Sequence, residues 1–572
     1  MAPAPILALA LAAIPWLDPT SVKPLQRGVC VTEWTGGERR EIPVEVLGVL
    51  DAPAPERTSV LIRLLDDKLA GTGVVMGMSG SPVYIDGRLL GALASGFAFA
   101  REPLGAVTPF AAMQGIEEQG AEITAAAPKL AQIAALAART APPISLLPEL
   151  GSPEKRGVMP VAVVGIPIST GLGEEILARA GLQAIPAGSH AGIAGIPEAG
   201  EMVAALLVWG DAIVAAAGTV TAREGEKMWA FGHPFLGLGR LRVPAARARV
   251  VAVQDSYQVP FKIFTVGEQF GTFVADRPAG MLAVVGTPPD GLPVTVTVEE
   301  GGSSHTWSFR TAAVPILQPL LVTYLANACL TARGAATGDA SVQLEMNLRL
   351  EDGQRLGLRQ ATRGIDALAR ISALAGAACS FVENSTFAHP ALAGVEIVLR
   401  RDERLTGATI AEVVTPRTVV APGELLTIDV RLQPYLAGPV TKRLELRVPP
   451  TLPNGAIDLI VADGAAFADY HVQSLAVQPA SFADQLSQVE LLESASTLVA
   501  ALESREGGVA YRGTSQKALP PSWSATLVTG LGRRGVERLK TTFEATVRWQ
   551  APYPLEGAYR IPLTVRTKQE VQ

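Results

Sequence analysis

Residues 77–93 read GMSGSPVYIDGRLLGAL, and the fold is read outward from them. Asp86-Gly87 stands between two apolar runs, the pattern of a type I′ hairpin in which both central residues take positive φ. A strand therefore begins directly after Gly77-Met78-Ser79-Gly80-Ser81-Pro82, and that hexapeptide becomes a tight turn leading into a sheet. Such a turn suits a nucleophilic serine. The Ser79 hydroxyl stands out, the N–H groups of Gly77 and Ser79 are placed to hold an oxyanion, and Gly80 lacks the Cβ that would crowd an incoming acyl group. The same letters also spell an ordinary Gly/Ser-rich turn, so the rest of the chain has to decide.

Residues 22–118 are strand-like around this motif, with a second hairpin turning at Gly36-Gly37 before the alternating Ile42, Val44 and Val46. Residues 119–195 become Ala-rich and read as a helical connector, with helices at Pro128–Ala138 and Gly173–Ala180. Residues 196–300 return to strands, including GTVTAREGEKMWAFGHPF (218–235), where Glu224-Gly225 marks another hairpin. Residues 301–390 are a mixed α/β segment with helices at Pro315–Leu330 and Ile365–Cys379. The first of these, PILQPLLVTYLANACL, is interrupted by Gln318, Pro319 and Asn327 and is short for a membrane span, so a buried helix is expected. Leu426, Ile428, Val430 and Leu432, then Leu444, Leu446 and Val448, alternate as in a β-sandwich over 391–480. A C-terminal β domain over 481–572 carries strands at Thr542–Trp549 and Tyr559–Val565. The expected fold is mainly β and multidomain.

Composition agrees. For 572 residues, a scale of roughly 100 to 200 residues per domain predicts three to five domains, and 56 Gly with 43 Pro favour short strands and turns. The net charge is −6, and no basic cluster is interleaved with aromatics, so nucleic acid is not an expected partner. Ile6 to Ile14 form an apolar run the size of a signal-peptide core, which makes 1–21 signal-peptide-like and predicts export to the periplasm or beyond. No Lys or Arg precedes Lys23, which leaves a buried N-terminal strand as the other reading. Cys30, Cys329 and Cys379 lie far apart without zinc-site spacing, and a bridge between Cys329 and Cys379 is left open. No phosphate-loop lysine follows Gly71, no His-Glu-x-x-His occurs, and no cofactor or metal is expected.

A serine needs a base, and histidine titrates in the right range. None of the five histidines precedes Ser79. His233, in Phe231-Gly232-His233-Pro234 at the end of a predicted hairpin strand, has glycine beside it to leave room for the ring. His190 and His305 fall in Gly-rich surface turns, and His389 and His471 in the C-terminal region.

GMSGSPVYIDGRLLGAL and GTVTAREGEKMWAFGHPF resemble the serine and histidine motifs of the SpoIVB peptidase family, and the likeness continues through GEQFGTFVADRPAGMLAVVG (267–286). The resemblance implies a chymotrypsin-like double β-barrel in which Ser79 is the nucleophile, His233 the general base, and Gly77 and Ser79 the oxyanion hole. It also implies a regulatory peptidase acting on an extracytoplasmic protein. Family order is reversed here, since Ser79 precedes His233, so the two barrel halves read as permuted, and no PDZ-like segment is recognisable. The family carries its aspartate shortly before the serine, which favours Asp66; Asp67 and the more distant Asp276 stay open. Two other readings remain: a non-catalytic envelope scaffold docking proteins through its C-terminal β domains, and an esterase using the same pair.

Overall fold

Period-two alternation closes a first barrel from β1 (Arg27–Glu33), β2 (Arg39–Leu50), β3 (Ser59–Leu64), β4 (Pro82–Ile85), β5 (Arg88–Gly96) and β6 (Leu104–Pro109). The strand order is β1-β2-β3-β6-β5-β4, and β4 pairs back to β1. Ile42, Val44, Val46, Val60, Ile62, Val83 and Ile85 fill its interior. Both expected hairpins form: Gly36 and Gly37 turn β1 into β2, and Asp86 (φ 51°) and Gly87 (φ 73°) turn β4 into β5. This computed structural model describes residues 14–50, 58–97, 102–118, 120, 123–146, 159–167, 172–256, 260–332, 338–402, 406–475, 479–504, 509–511, 514–516, 536–538 and 541–567.

Of the signal-peptide-like segment 1–21, residues 1–13 lie outside the described ones. Residues 14–21 pack on the first barrel: Leu17 is buried, its N–H donates to the Leu89 carbonyl at 2.8 Å, and Asp18 caps the turn Pro19–Ser21.

The connector differs from the expected run of helices. After α1 (Phe110–Gln114) and α2 (Leu130–Ala137) it forms a parallel β–α–β unit of β7 (Met159–Val164), α3 (Leu172–Arg179) and β8 (Leu182–Pro186). Val161, Ala162 and Val163 are buried as an unbroken run, and a strand covered on both faces shows no alternation to detect.

A second closed ring follows β9 (Gly188–Ser189). It contains β10 (Met202–Gly210), β11 (Ile213–Glu224), β12 (Lys227–Ala230), β13 (Gly239–Gln254), β14 (Phe261–Arg277) and β15 (Gly280–Val285). Their order is β10-β13-β14-β15-β12-β11, and β11 pairs back to β10. Ala204, Ala215, Ala246 and Ala248 line its narrow interior beside Leu206 and Phe264. Both barrels fall in one compact unit, 1–124 with 148–293 and 308–321; the other unit is 125–147, 294–307 and 322–572.

β16 (Leu292–Glu300) and β17 (Ser303–Thr311) open the mixed segment. Helices α4 (Gln318–Thr331) and α5 (Ala367–Glu383) accompany β18 (Ala340–Leu350), β19 (Arg355–Gly364) and β20 (Leu392–Asp402). Helix α4 is buried as expected and α5 is buried too, and Cys329 and Cys379 are buried thiols with no disulfide between them. Among the described residues no helix is long and apolar enough to cross a membrane.

The C-terminal strands are β21 (Ala408–Val414), β22 (Val419–Val420), β23 (Leu425–Pro434), β24 (Val440–Arg447), β25 (Gly455–Asp463), β26 (Thr497–Ser504), β27 (Val509–Tyr511), β28 (Thr514–Gln516), β29 (Val536–Arg538), β30 (Thr542–Gln550), β31 (Leu555–Glu556) and β32 (Ala558–Val565). Sheets β24-β23-β21-β31 and β22-β32-β25-β26-β30 share one core that includes Ile428, Val430, Leu459, Leu498 and Leu563. Ranges 391–480 and 481–572 thus build a single sandwich rather than two domains, because β31 and β32 return to pair with β21 and β25.

Candidate active site

The Ser79 turn is made by two glycines and held by two barrels. Val75 and Met78 carbonyls accept the N–H groups of Met78 (3.0 Å) and Ser81 (2.9 Å), while Gly77 (φ 94°) and Gly80 (φ 96°) take the left-handed conformations this requires. Within its own barrel the turn is fixed by Gly80 N–H donating to Leu93 O at 2.7 Å. From the second barrel, Thr219 N–H donates to Ser79 O at 2.7 Å, and the Thr219 and Thr221 hydroxyls donate to Gly77 O (2.9 Å) and Gly80 O (2.7 Å). Among the described residues the N–H groups of Gly77 and Ser79 have no acceptor, so two adjacent donors are left for a ligand. Gly80 has a different task from the one expected of it. A Cβ there would lie 1.9 Å from Thr219 O and 2.6 Å from Phe231 N, so its bareness admits the second barrel's main chain.

His233 follows β12 on a turn in which Phe231 and Gly232 both have φ 69°. For a buried phenylalanine this is strained, and Phe231 is held there by ring contacts with His233, Phe235 and Phe273. Thr108 of the first barrel donates its hydroxyl to Gly232 O at 2.6 Å. His233 Nδ1 lies 2.8 Å from Pro234 O. A carbonyl only accepts, so Nδ1 carries the hydrogen and the Nε2 lone pair is left available. Burial lowers the imidazole pKa below its usual 6.5, partly offset by the Pro234 bond and the charge of Asp276.

Asp276, on β14, is 1% exposed and accepts the N–H groups of Phe235 (2.7 Å), Leu236 (2.8 Å) and Leu238 (3.0 Å), folding the loop behind His233. Burial raises its pKa against the pull of those bonds. Asp66 sits elsewhere. It pairs with the Arg40 guanidinium and accepts Lys68 N–H at 2.9 Å, capping the turn after β3, and Asp67 beside it is exposed. Ser79, Val75 and Leu93 from the first barrel and Phe231, His233 and Asp276 from the second line one cleft of about 760 Å³; Asp66 and Asp67 do not line it. His190, His305, His389 and His471 lie outside the cleft as well.

Thr108, Thr219, Thr221 and the Pro234 carbonyl were not singled out in the sequence. The alternation of Thr219 and Thr221 in GTVT was the available signal, and a main-chain carbonyl leaves none.

Two closed barrels that share a cleft define the class, a mainly β protein built on a double β-barrel. A family resemblance falls on the first barrel: residues 21–103 match the model of the SpoIVB peptidase S55 family, so this stretch of the chain is similar to peptidases of that type. The match contains the Ser79 turn and ends before β6, with the histidine barrel outside it. No curated protein and no solved structure matches the chain.

Proposed function

We propose that the chain is a serine endopeptidase that cleaves an extracytoplasmic, regulatory protein through an acyl-enzyme on Ser79. His233 Nε2 takes the Ser79 proton as Oγ bonds the scissile carbonyl carbon, and the oxyanion formed rests against the N–H groups of Gly77 and Ser79. The C–N bond then breaks and His233 returns the proton to the leaving amine. Water repeats both steps to release the acid. The Pro234 carbonyl fixes the tautomer, and Asp276, in place of Asp66, supplies the negative charge that favours imidazolium.

The observation that carries this reading is the placement of Ser79 and His233 on one cleft, with two unpartnered amides on the serine side. Met159, Pro160, Ala180 and Gly181 give part of the cleft a neutral wall, while Asp276 and Arg277 add charged groups elsewhere in its lining. The histidine half following the serine half is read as a permutation of the family order, which leaves triad chemistry intact. The apolar run Ile6 to Ile14 supports action outside the cytoplasm.

The test is mass spectrometry after exposure to a fluorophosphonate probe. Wild type acquires one adduct on Ser79, Ser79→Ala acquires none, and His233→Ala reacts about 100-fold more slowly or worse. A folded wild type that takes no adduct returns the protein to the scaffold reading.

A further inference from the structure

We propose that Lys262 is a positioning residue for the Ser79 turn, holding it from beneath through a buried chain of groups that joins the two barrels; the proposal rests on the serine–histidine reading above. Lys262, on β14, is 1% exposed, an unusual place for an amine in a core that apolar side chains fill. Three parts of it engage the turn. Its N–H donates to Met76 O at 3.0 Å, while Met76 N–H donates to Pro260 O at 2.9 Å. Its stem packs under Gly77, where a Cβ would come within 3.1 Å of Lys262 Cδ. Its Nζ donates to Thr32 Oγ1 at 2.8 Å, and the same oxygen accepts the Ser81 hydroxyl at 2.8 Å. Lys262 thus grips the chain on both sides of Ser79, at Met76–Gly77 directly and at Ser81 through Thr32.

The opposing charge is Glu33, next to Thr32 on β1 and fully buried. Its carboxylate accepts Met202 N–H (2.9 Å) from β10 and Val250 N–H (2.7 Å) from β13. Among the described residues the titratable groups acting on Lys262 are Glu33 and Cys30, both on β1, and β10 and β13 each give Glu33 one main-chain donor. Burial brings the Lys262 ammonium down to about 7, with Glu33 and Cys30 pulling the other way. Its proton is therefore exchanged near neutrality. As an ammonium it makes a charge-assisted bond to Thr32 and is drawn to Glu33; as an amine it keeps only a neutral bond, and the grip on the turn weakens. A site that needs His233 neutral and Lys262 charged works in a narrow window, rising as imidazole loses its proton and falling as pH passes about 7.

The test uses Lys262→Met, which keeps the stem under Gly77, and Glu33→Gln/Lys262→Met, which leaves no unbalanced buried charge should the single variant fail to fold. Two readouts are followed across pH on the full chain: fluorophosphonate labelling of Ser79, and hydrogen exchange of the bonded amides of Met76, Met78, Gly80 and Ser81. The expected result is labelling slowed about tenfold or more, loss of the alkaline limb near pH 7, and faster exchange of those four amides in the folded double variant at matched pH. Labelling, alkaline limb and exchange that match wild type in the folded double variant overturn the proposal and leave the serine–histidine reading standing. If wild-type Ser79 takes up no probe, that reading fails and exchange decides alone: lost protection upholds the grip of Lys262 on the turn, and unchanged protection overturns it.

Discussion

His233 sits where its charged form is disfavoured, and the pH dependence of the site follows from that. With its folded pKa below 6.5, the neutral base is already present at pH 6.5 and is lost as pH falls through the lower value, so the labelling rate of Ser79 is expected to reach half its plateau below pH 6.5. Asp276 raises that pKa through its charge, so Asp276→Asn is expected to move the acid limb to still lower pH. It also reduces the plateau, because an amide nitrogen cannot accept the N–H groups of Leu236 and Leu238. Asp66→Asn, which breaks only the pair with Arg40 and the local cap, leaves the acid limb in place. An acid limb displaced by Asp66→Asn and not by Asp276→Asn would reverse the assignment of the carboxylate.

At the scale of elements, two positive-φ glycines give opposite expectations. Gly87 in the β4–β5 turn has open space where a Cβ would go, and Gly87→Asn is expected to cost about 1 kcal/mol or less because asparagine tolerates that backbone. Gly80→Ala places a methyl group on Thr219 O and is expected to cost about 2 kcal/mol or more and to abolish labelling, measured by urea unfolding beside probe uptake. The contrast shows how much of the site was legible. The hairpins at Gly36-Gly37 and Asp86-Gly87 were readable because turn chemistry is local; Ser79 and His233, which line one cleft, were singled out because each sits in a compact motif. Gly80 was given the wrong task because its constraint comes from Thr219, far along the chain. Thr32, Glu33 and Lys262 left no signal: two lie in an ordinary alternating strand, and the third looks like any solvent-facing lysine. Helix α3 was read at Gly173–Ala180, but the strands on either side of it were missed, β7 because its buried run shows no alternation and β8 because it is short.

At the scale of the molecule, the sandwich of β21–β26 and β30–β32 has its own core, and within it Leu459 is fully buried. Leu459→Ala is expected to destabilise that region by about 2–5 kcal/mol in calorimetry or denaturant unfolding while leaving the rate of Ser79 labelling at 25 °C unchanged. A fall in labelling by the still folded variant would make the sandwich part of the catalytic apparatus. The mainly β character could be read from turns and alternation, and the two-barrel plan was implied by the family resemblance. The merging of 391–480 with 481–572 could not, because it depends on short strands at the very end of the chain pairing back across long sequence separations.

The way each barrel holds the other's working turn has a consequence for the life of the chain. Synthesis proceeds from the amino end, so Ser79 leaves the ribosome while Thr219, Thr221 and Lys262 are still untranslated, and the Gly232 carbonyl that Thr108 will hold does not yet exist. The newborn first barrel carries a serine with neither its proposed base nor the struts that set its loop. On the serine–histidine reading proposed above, labelling of Ser79 is expected only once the stretch through Val285 has been delivered and folded, and a fragment ending before β10 is expected to take up no probe. On that reading, chain order acts as a timer on the Ser79 hydroxyl.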